Sequence, residues 1–323
     1  MLELSDLKRF TAAEKTKGGY GFADTPVKVS FDESDVVFYG IPLDITTSFG
    51  KGTARGPEAI RVTSARQIET FLLDEKSDIY EFVKIFDLGD LRLSEGNTLR
   101  KNANKVLPLI DSSVSKISCA LREDGKIPVL LGGEHTLSYY HLKALANEKP
   151  IVIHFDAHRD MKPRYDGMEL CHTTPFYHIM KYIPGSDIVQ IGIRQADKEE
   201  NEIAEKNGVT TFDAWQLHND PIGVLQYLRR VTSNRNIYIS FDIDVYDLPY
   251  VPCTRTPEPF GLDPFQMLDI IKSVNSTASL IGMDMVEVGL KNDDYREGVL
   301  ATQTLLRILC RDYVIKNNAQ NAR

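Results

Sequence analysis

The stretch Ile151-Val152-Ile153-His154-Phe155-Asp156-Ala157-His158-Arg159-Asp160 decides how the chain is read. Its apolar start, Ile151-Val152-Ile153, fits a strand buried on both faces, as in the interior of a parallel sheet. Its end is charged, and the two-residue period of an extended chain lets Asp156, His158 and Asp160 point one way. Similar short apolar runs occupy residues 36–41, 84–88, 127–131, 188–193, 209–212, 236–241 and 279–286. Amphipathic, helix-like segments fall between most of them, at residues 58–72, 98–123, 136–146, 198–206, 221–231, 264–274 and 297–314. This alternation predicts a three-layer α/β/α fold, a parallel sheet sandwiched by helices. No repeat, low-complexity tract or Ser/Gly-rich linker interrupts it, so residues 36–323 are expected to form one domain behind a less regular N-terminal arm, residues 1–35.

Composition narrows the function. A length of 323 residues suits one large α/β domain. With 38 Lys and Arg against 46 Asp and Glu, the net charge of −8 argues against a broad basic surface for nucleic acid or anionic lipid. No run approaches the ~18 apolar residues of a membrane span, and Met1-Leu2-Glu3-Leu4-Ser5-Asp6 lacks the features of a signal peptide, so no membrane partner and a cytoplasmic location are expected. Cys119, Cys171, Cys253 and Cys310 form no CxxC pair, and reduced thiols are the expectation.

In an open parallel sheet, ligands gather at the C-terminal ends of strands. Two further ends are chemically dense. The strand at 127–131 runs into Gly132-Gly133-Glu134-His135, and the strand at 236–241 ends in Ser240-Phe241-Asp242-Ile243-Asp244-Val245-Tyr246-Asp247. Asp242 and Asp244 can share a direction, and the Gly-Gly pair is read as allowing a tight turn that presents His135. Four carboxylates in one cleft need counter-charge, which two divalent cations supply. Mixed carboxylate and imidazole ligands favour Mn²⁺, Fe²⁺, Co²⁺ or Zn²⁺ over Ca²⁺ or Mg²⁺, and the lack of Cys ligands disfavours a structural zinc. The candidate metal ligands are therefore His135, Asp156, His158, Asp160, Asp242 and Asp244. His141, His154, His178 and His218 lack such context and read as packing or surface residues. Residues 41–57 and 161–174 show no periodicity, and long loops of this kind are often functional.

These motifs resemble those of the ureohydrolases, the arginase and agmatinase family, which is similar in fold to the deacetylases. Further matches are Gly40-Ile41-Pro42-Leu43-Asp44, Gly52-Thr53-Ala54-Arg55-Gly56-Pro57, Thr256-Pro257-Glu258-Pro259 and Met285-Val286-Glu287-Val288. The resemblance implies an eight-stranded parallel sheet, two Mn²⁺ ions per subunit, hydrolysis of a guanidino group to urea and an amine, and homotrimers or homohexamers. It implies one metal on His135, Asp156, Asp160 and Asp242, a second on Asp156, His158, Asp242 and Asp244, and attack of a metal-bridging hydroxide on the guanidinium carbon. Asp160 would orient the nucleophile or take its proton, Glu287 would hold the guanidinium, and His172 would pass a proton to the leaving amine. Arg159 is unusual within the metal motif and is expected to point away from the ions. Leu248, Cys253, Arg255 and Phe260 also depart from the family pattern, the last three where small residues or glycine are usual.

The loop Met161-Lys162-Pro163-Arg164-Tyr165-Asp166-Gly167-Met168-Glu169-Leu170-Cys171-His172 lacks the Asn and Ser with which arginases read an amino-acid head group. Asp166 and Glu169 suit the distal ammonium of agmatine, whereas Lys162 and Arg164 suit a carboxylate such as that of guanidinobutyrate or formiminoglutamate. A small cationic guanidino substrate, agmatine, is the first expectation. Guanidinobutyrase, arginase or formiminoglutamase activity, and metal-dependent binding without turnover, are the alternatives.

Overall fold

A computed structural model of the chain describes residues 20–22, 29–91, 103–274 and 278–321. Most of the expected N-terminal arm and the predicted helical residues 98–102 lie outside the described residues. Strand β1 (Val36–Gly40) is followed by helix α1 (Gly56–Arg66), a small hairpin (Phe71–Leu72 and Ser77–Asp78) and β2 (Ile85–Asp90). Next come α2 (Ala103–Glu123), β3 (Ile127–Leu131), α3 (Thr136–Leu145), β4 (Ile151–Phe155) and α4 (Pro175–Ile179). The chain continues through β5 (Ile188–Ile193), α5 (Lys198–Lys206), β6 (Thr210–Asp213), α6 (Ala214–Asn219) and α7 (Pro221–Val231). It closes with β7 (Asn236–Asp242), α8 (Pro264–Val274), β8 (Ser279–Val286) and α9 (Arg296–Asn321).

The strands form one eight-stranded sheet in the order β2-β1-β3-β8-β7-β4-β5-β6. All neighbouring strands are parallel. Side-chain alternation explains the continuous apolar runs: Val36 and Phe38 enter one core, Val37 and Tyr39 the other. Apolar residues of α1 and α6 to α9 cover the first face. Those of α2 to α5 cover the second. The three-layer expectation therefore holds.

Local hydrogen bonding explains where elements depart from the sequence pattern. The helix expected to reach residue 72 stops at Arg66, because Thr70 bonds the Asp78 carboxylate and its carbonyl accepts from Ile79 N, drawing the chain into the hairpin. Helices α4 and α6 were not read; at five and six residues they are too short to show a helical period.

The sheet order brings β3, β8, β7 and β4 together at its centre, with Leu131 opposite Met285, Val286 opposite Asp242, and Phe155 opposite Phe241. The motifs that follow these strands thus emerge side by side. Gly133 shows how closely they pack. It does not adopt the positive φ of a tight glycine turn; it is small because a Cβ there would collide with the Leu43 backbone. That approach lets Glu134 N donate to Leu43 O at 2.8 Å, while Gly133 O accepts from Glu287 N at 2.8 Å. Gly133→Ala is expected to cost about 1–3 kcal/mol in urea unfolding, because backbone on both sides must move, and to displace the segment after β1 from the site.

Candidate metal centre and active site

The site is assembled from strand ends that hold one another by backbone-to-carboxylate bonds. After β4, Asp156 accepts from His158 N at 2.6 Å, and after β7, Asp242 accepts from Asp244 N at 2.9 Å. Asp244 reaches across to accept from Ala157 N at 3.0 Å, and Glu287, beyond β8, accepts from His135 N at 2.8 Å. Asp160 and Glu287 hold left-handed backbones, with φ of 52° and 58°. That is an uncommon conformation for non-glycine residues and one found where structure over-determines a site.

All six candidate metal ligands converge. His135 Nδ1 lies 3.1 Å from Asp156, 2.9 Å from Asp160 and 3.2 Å from Asp242. His158 Nδ1 lies 3.1 Å from Asp244 and 3.5 Å from Asp156. Asp156 thus stands between two nests, one around each imidazole. Its neighbourhood includes two groups, His135/His154/Asp156 and Asp156/His158/Asp244, whose donor atoms are close enough to hold a metal ion.

The tautomer of His135 sharpens this. Ser240 Oγ gives its one hydrogen to Asp284 at 2.9 Å, so at 3.3 Å from His135 Nε2 it must accept. A neutral His135 therefore carries its lone pair on Nδ1, which is buried, makes no aligned hydrogen bond and faces three carboxylates. A nitrogen facing carboxylates in a buried site calls for a proton or a metal cation between them.

The electrostatics agree. Burial and the charge of Asp156 push Asp160 up to about 7, and burial, Asp244 and Asp156 push Asp242 well above the carboxylate range. Burial acts on Asp156 too, but the close approach of His135, His154 and His158 outweighs it and holds that carboxyl well below its usual value. For His135 and His158, burial disfavours the imidazolium, yet the surrounding carboxylates hold both well above the usual imidazole value. Glu287 is raised to about 8 by burial, against the bond from His135 N.

His172 stands on the neighbouring loop. Its N–H donates to Thr46 Oγ1 at 3.0 Å and its Nε2 lies 3.1 Å from Ser48 Oγ. Thr46 is anchored on buried Glu134, which accepts from Thr46 N and Oγ1, each at 2.7 Å. Glu134, quoted in a motif but given no role, thus ties the segment after β1 to the His172 loop. Burial first, then the charges of His135 and His158, bring His172 down to about 4, so its ring is neutral near pH 7.

His154 corrects the reading of it as ordinary packing. Its Nε2 donates to Asp156 at 2.8 Å, its Nδ1 accepts from Gln190 at 3.1 Å, and its ring stacks on Phe176. It orients a candidate ligand, as groups hydrogen-bonded to metal-binding carboxylates do. The two-residue period that links Asp156 to His158 would also have flagged it. Asp284 was missed entirely: inside an apolar strand, it accepts from Tyr238, Ser240 and Phe241 N and so supports His135. Arg159 points to Asn201, Gln190 and Thr211, away from the cluster, as expected.

Residues 253–260, which include three of the departures from the family pattern, form a wall beside the site and are accounted for in part. Thr254 Oγ1 donates to Glu287 O, and Thr256 Oγ1 lies 3.4 Å from Asp244. Phe260 has φ 66° with its ring largely exposed, which explains why glycine is usual there. Arg194 donates to the carbonyls of Asp244, Val245, Tyr246, Glu258 and Pro259, joining the Asp242–Asp244 turn to that wall. Of the four loop charges weighed for the substrate tail, Lys162 is paired with Asp197 and Glu200, while Arg164, Asp166 and Glu169 are exposed.

Comparison with known proteins agrees with this geometry. The model of the Arginase family matches residues 34–310. An agmatinase of Bacillus anthracis is 35% identical over 292 residues, spanning 88% of this chain and 94% of that protein. An N(1)-aminopropylagmatine ureohydrolase of Thermus thermophilus is 31% identical, spanning 88% of this chain and 91% of its own. The crystal structure of the agmatine ureohydrolase of Thermoplasma volcanium superposes with a TM-score of 0.79 at 27% identity, covering 97% of this chain and 99% of that one. With sheet, strand-end motifs and family match in accord, the chain belongs to the arginase family of ureohydrolases.

Proposed function

We propose that the protein is an agmatinase-type amidinohydrolase, converting agmatine and water to putrescine and urea. The observation that carries the reading is the convergence of His135 Nδ1 with the carboxylates of Asp156, Asp160 and Asp242, with the Glu287 carboxylate bonded to the same residue's backbone. This donor set fits two divalent cations. His135, Asp156, Asp160 and Asp242 would hold one, and Asp156, His158, Asp242 and Asp244 the other, with Mn²⁺ the ion such mixed donors suit. Bound there, the cations supply Lewis acidity and lower the pKa of the attacking water.

The chain's own groups do the rest. Asp160 orients the water and takes a proton from it. Glu287 receives the planar, cationic guanidinium, whose charge offsets the burial that otherwise favours the neutral acid. As the carbon–nitrogen bond breaks, the water oxygen becomes the urea carbonyl oxygen and the departing amine needs a proton. The proton that Asp160 took from the water meets that need, and His172, neutral at rest, relays it. Agmatine is favoured over arginine by the absence of Asn and Ser from residues 161–172 and by the names of the matched relatives. The reading includes a homotrimer or homohexamer, for which the exposed Tyr250 and Phe265 of one groove offer apolar surface. Among the described residues, no helix is long and apolar enough to cross a membrane.

A urea-release screen of Mn²⁺-loaded protein over agmatine, arginine, guanidinobutyrate and formiminoglutamate tests the reading, with agmatine expected to react fastest. Asp156→Asn and Asp242→Asn should each fall below about 1% of the wild-type rate, beyond the ~10–100-fold lost with an orienting partner. A fully metallated protein that releases urea from none of the four overturns the proposal. Metal loading should also depend on pH. In the metal-free site His135 and His158 retain protons at neutrality and Asp160 titrates near 7, so incoming cations displace protons. Affinity is expected to rise with pH and to weaken on acidification. Titration calorimetry in buffers of different ionisation enthalpy checks this, and heats independent of buffer would contradict it.

A further inference from the structure

A cavity of about 310 Å³ opens directly beside the carboxylate and histidine cluster. His158 and Asp160 line it together with Lys162, Asp197, Glu200 and Gln195. Its size lies at the lower end of small-ligand pockets, ~300–1,000 Å³. Under the proposed function, a substrate whose reacting carbon lies near Asp160 has room for its tail in this cavity.

The charges in this cavity are unevenly matched. Lys162 Nζ bonds to Asp197 and lies 3.1 Å from Glu200. Two carboxylates facing one ammonium leave a net negative end. Their commitments differ. Glu200 is buried and accepts from Met161 N and Asp197 N, so it also closes the start of α5. The Asp197 carboxylate is about half exposed, with side-chain accessibility of 47%. Its Oδ1 caps α5 by accepting from Glu200 N, while Oδ2 bonds to Lys162. A lysine head on a flexible stem, partly open to water, holds such a partner weakly.

We propose that Lys162 is a specificity-determining residue that acts as a built-in competitor, its ammonium occupying the Asp197 carboxylate that a cationic substrate tail would otherwise engage. This deepens the agmatinase reading and rests on it. A tail ammonium displaces Lys162 from Asp197 and gains a charge-assisted bond; a tail carboxylate meets a net negative wall and gains only what Lys162 offers it. Lys162 therefore moderates the preference for amine-tailed over acid-tailed guanidino compounds and does not create it.

The test is the ratio of kcat/KM for agmatine to that for guanidinobutyrate, measured on Mn²⁺-loaded wild type, Lys162→Met and Asp197→Asn. Damage common to both substrates cancels in the ratio. Lys162→Met should raise it and Asp197→Asn should lower it, each by about 3- to 10-fold, up to the scale of one charge-assisted bond. Lys162→Arg, which keeps the cation, should stay nearer wild type than Lys162→Met and guards against a folding defect. Unchanged ratios, or ratios that move in the same direction in Lys162→Met and Asp197→Asn, overturn the proposal while leaving the agmatinase reading intact. A wild-type protein that hydrolyses neither compound overturns that reading instead.

Discussion

Repulsion among Asp156, Asp160, Asp242 and Asp244 is the constraint around which the rest of this molecule is arranged. Two unit charges 4 Å apart interact by about 4 kcal/mol at an effective dielectric of 20, and these carboxylates are almost fully buried. Part of the compensation is built into the backbone. Asp156, Asp242 and Asp244 each accept a main-chain N–H, and Glu287 and Glu134 do the same at the edges of the site. The remainder is imidazole, from His135, His154 and His158. Protons held at His135, His158 and Asp160 complete the balance, and under the proposed function metal ions would take their place.

Parallel topology makes that concentration of charge attainable. Because β3, β8, β7 and β4 are adjacent and parallel, four strand ends meet at one edge of the sheet, while the apolar faces below remain free for packing. Core and site are thus divided along each strand. In β4 the division falls between Phe155, which packs in the core, and Asp156, which does not.

Much of this was legible in the residues themselves. The strands at 127–131, 188–193 and 279–286 coincide with those observed, since apolar runs bounded by turns leave little choice. The six candidate ligands were found because carboxylate and imidazole at alternate positions after a strand have few other uses. What was hidden depended on distance in sequence. The need for Gly133 comes from Leu43, not from a local turn, and Asp284 matters through Ser240 on the neighbouring strand. His154 is the exception: its bond to Asp156 lies within reach of the two-residue period, and only its second partner, Gln190 on β5, is distant. The tail loop misled for a related reason: Lys162 was weighed as free to meet a substrate, although Asp197 and Glu200 already hold it.

Arg194 bears on how the site keeps its shape through turnover. One guanidinium spans carbonyls of the Asp242–Asp244 turn and of the Glu258–Pro259 wall, with no carboxylate partner among its bonds. The two segments are therefore pinned to a single rigid group and shift together. Order imposed on one is transmitted to the other, and linkage makes the effect reciprocal. Under the proposed function, ions filling the metal nests would be felt at the Glu258–Pro259 segment through this one guanidinium.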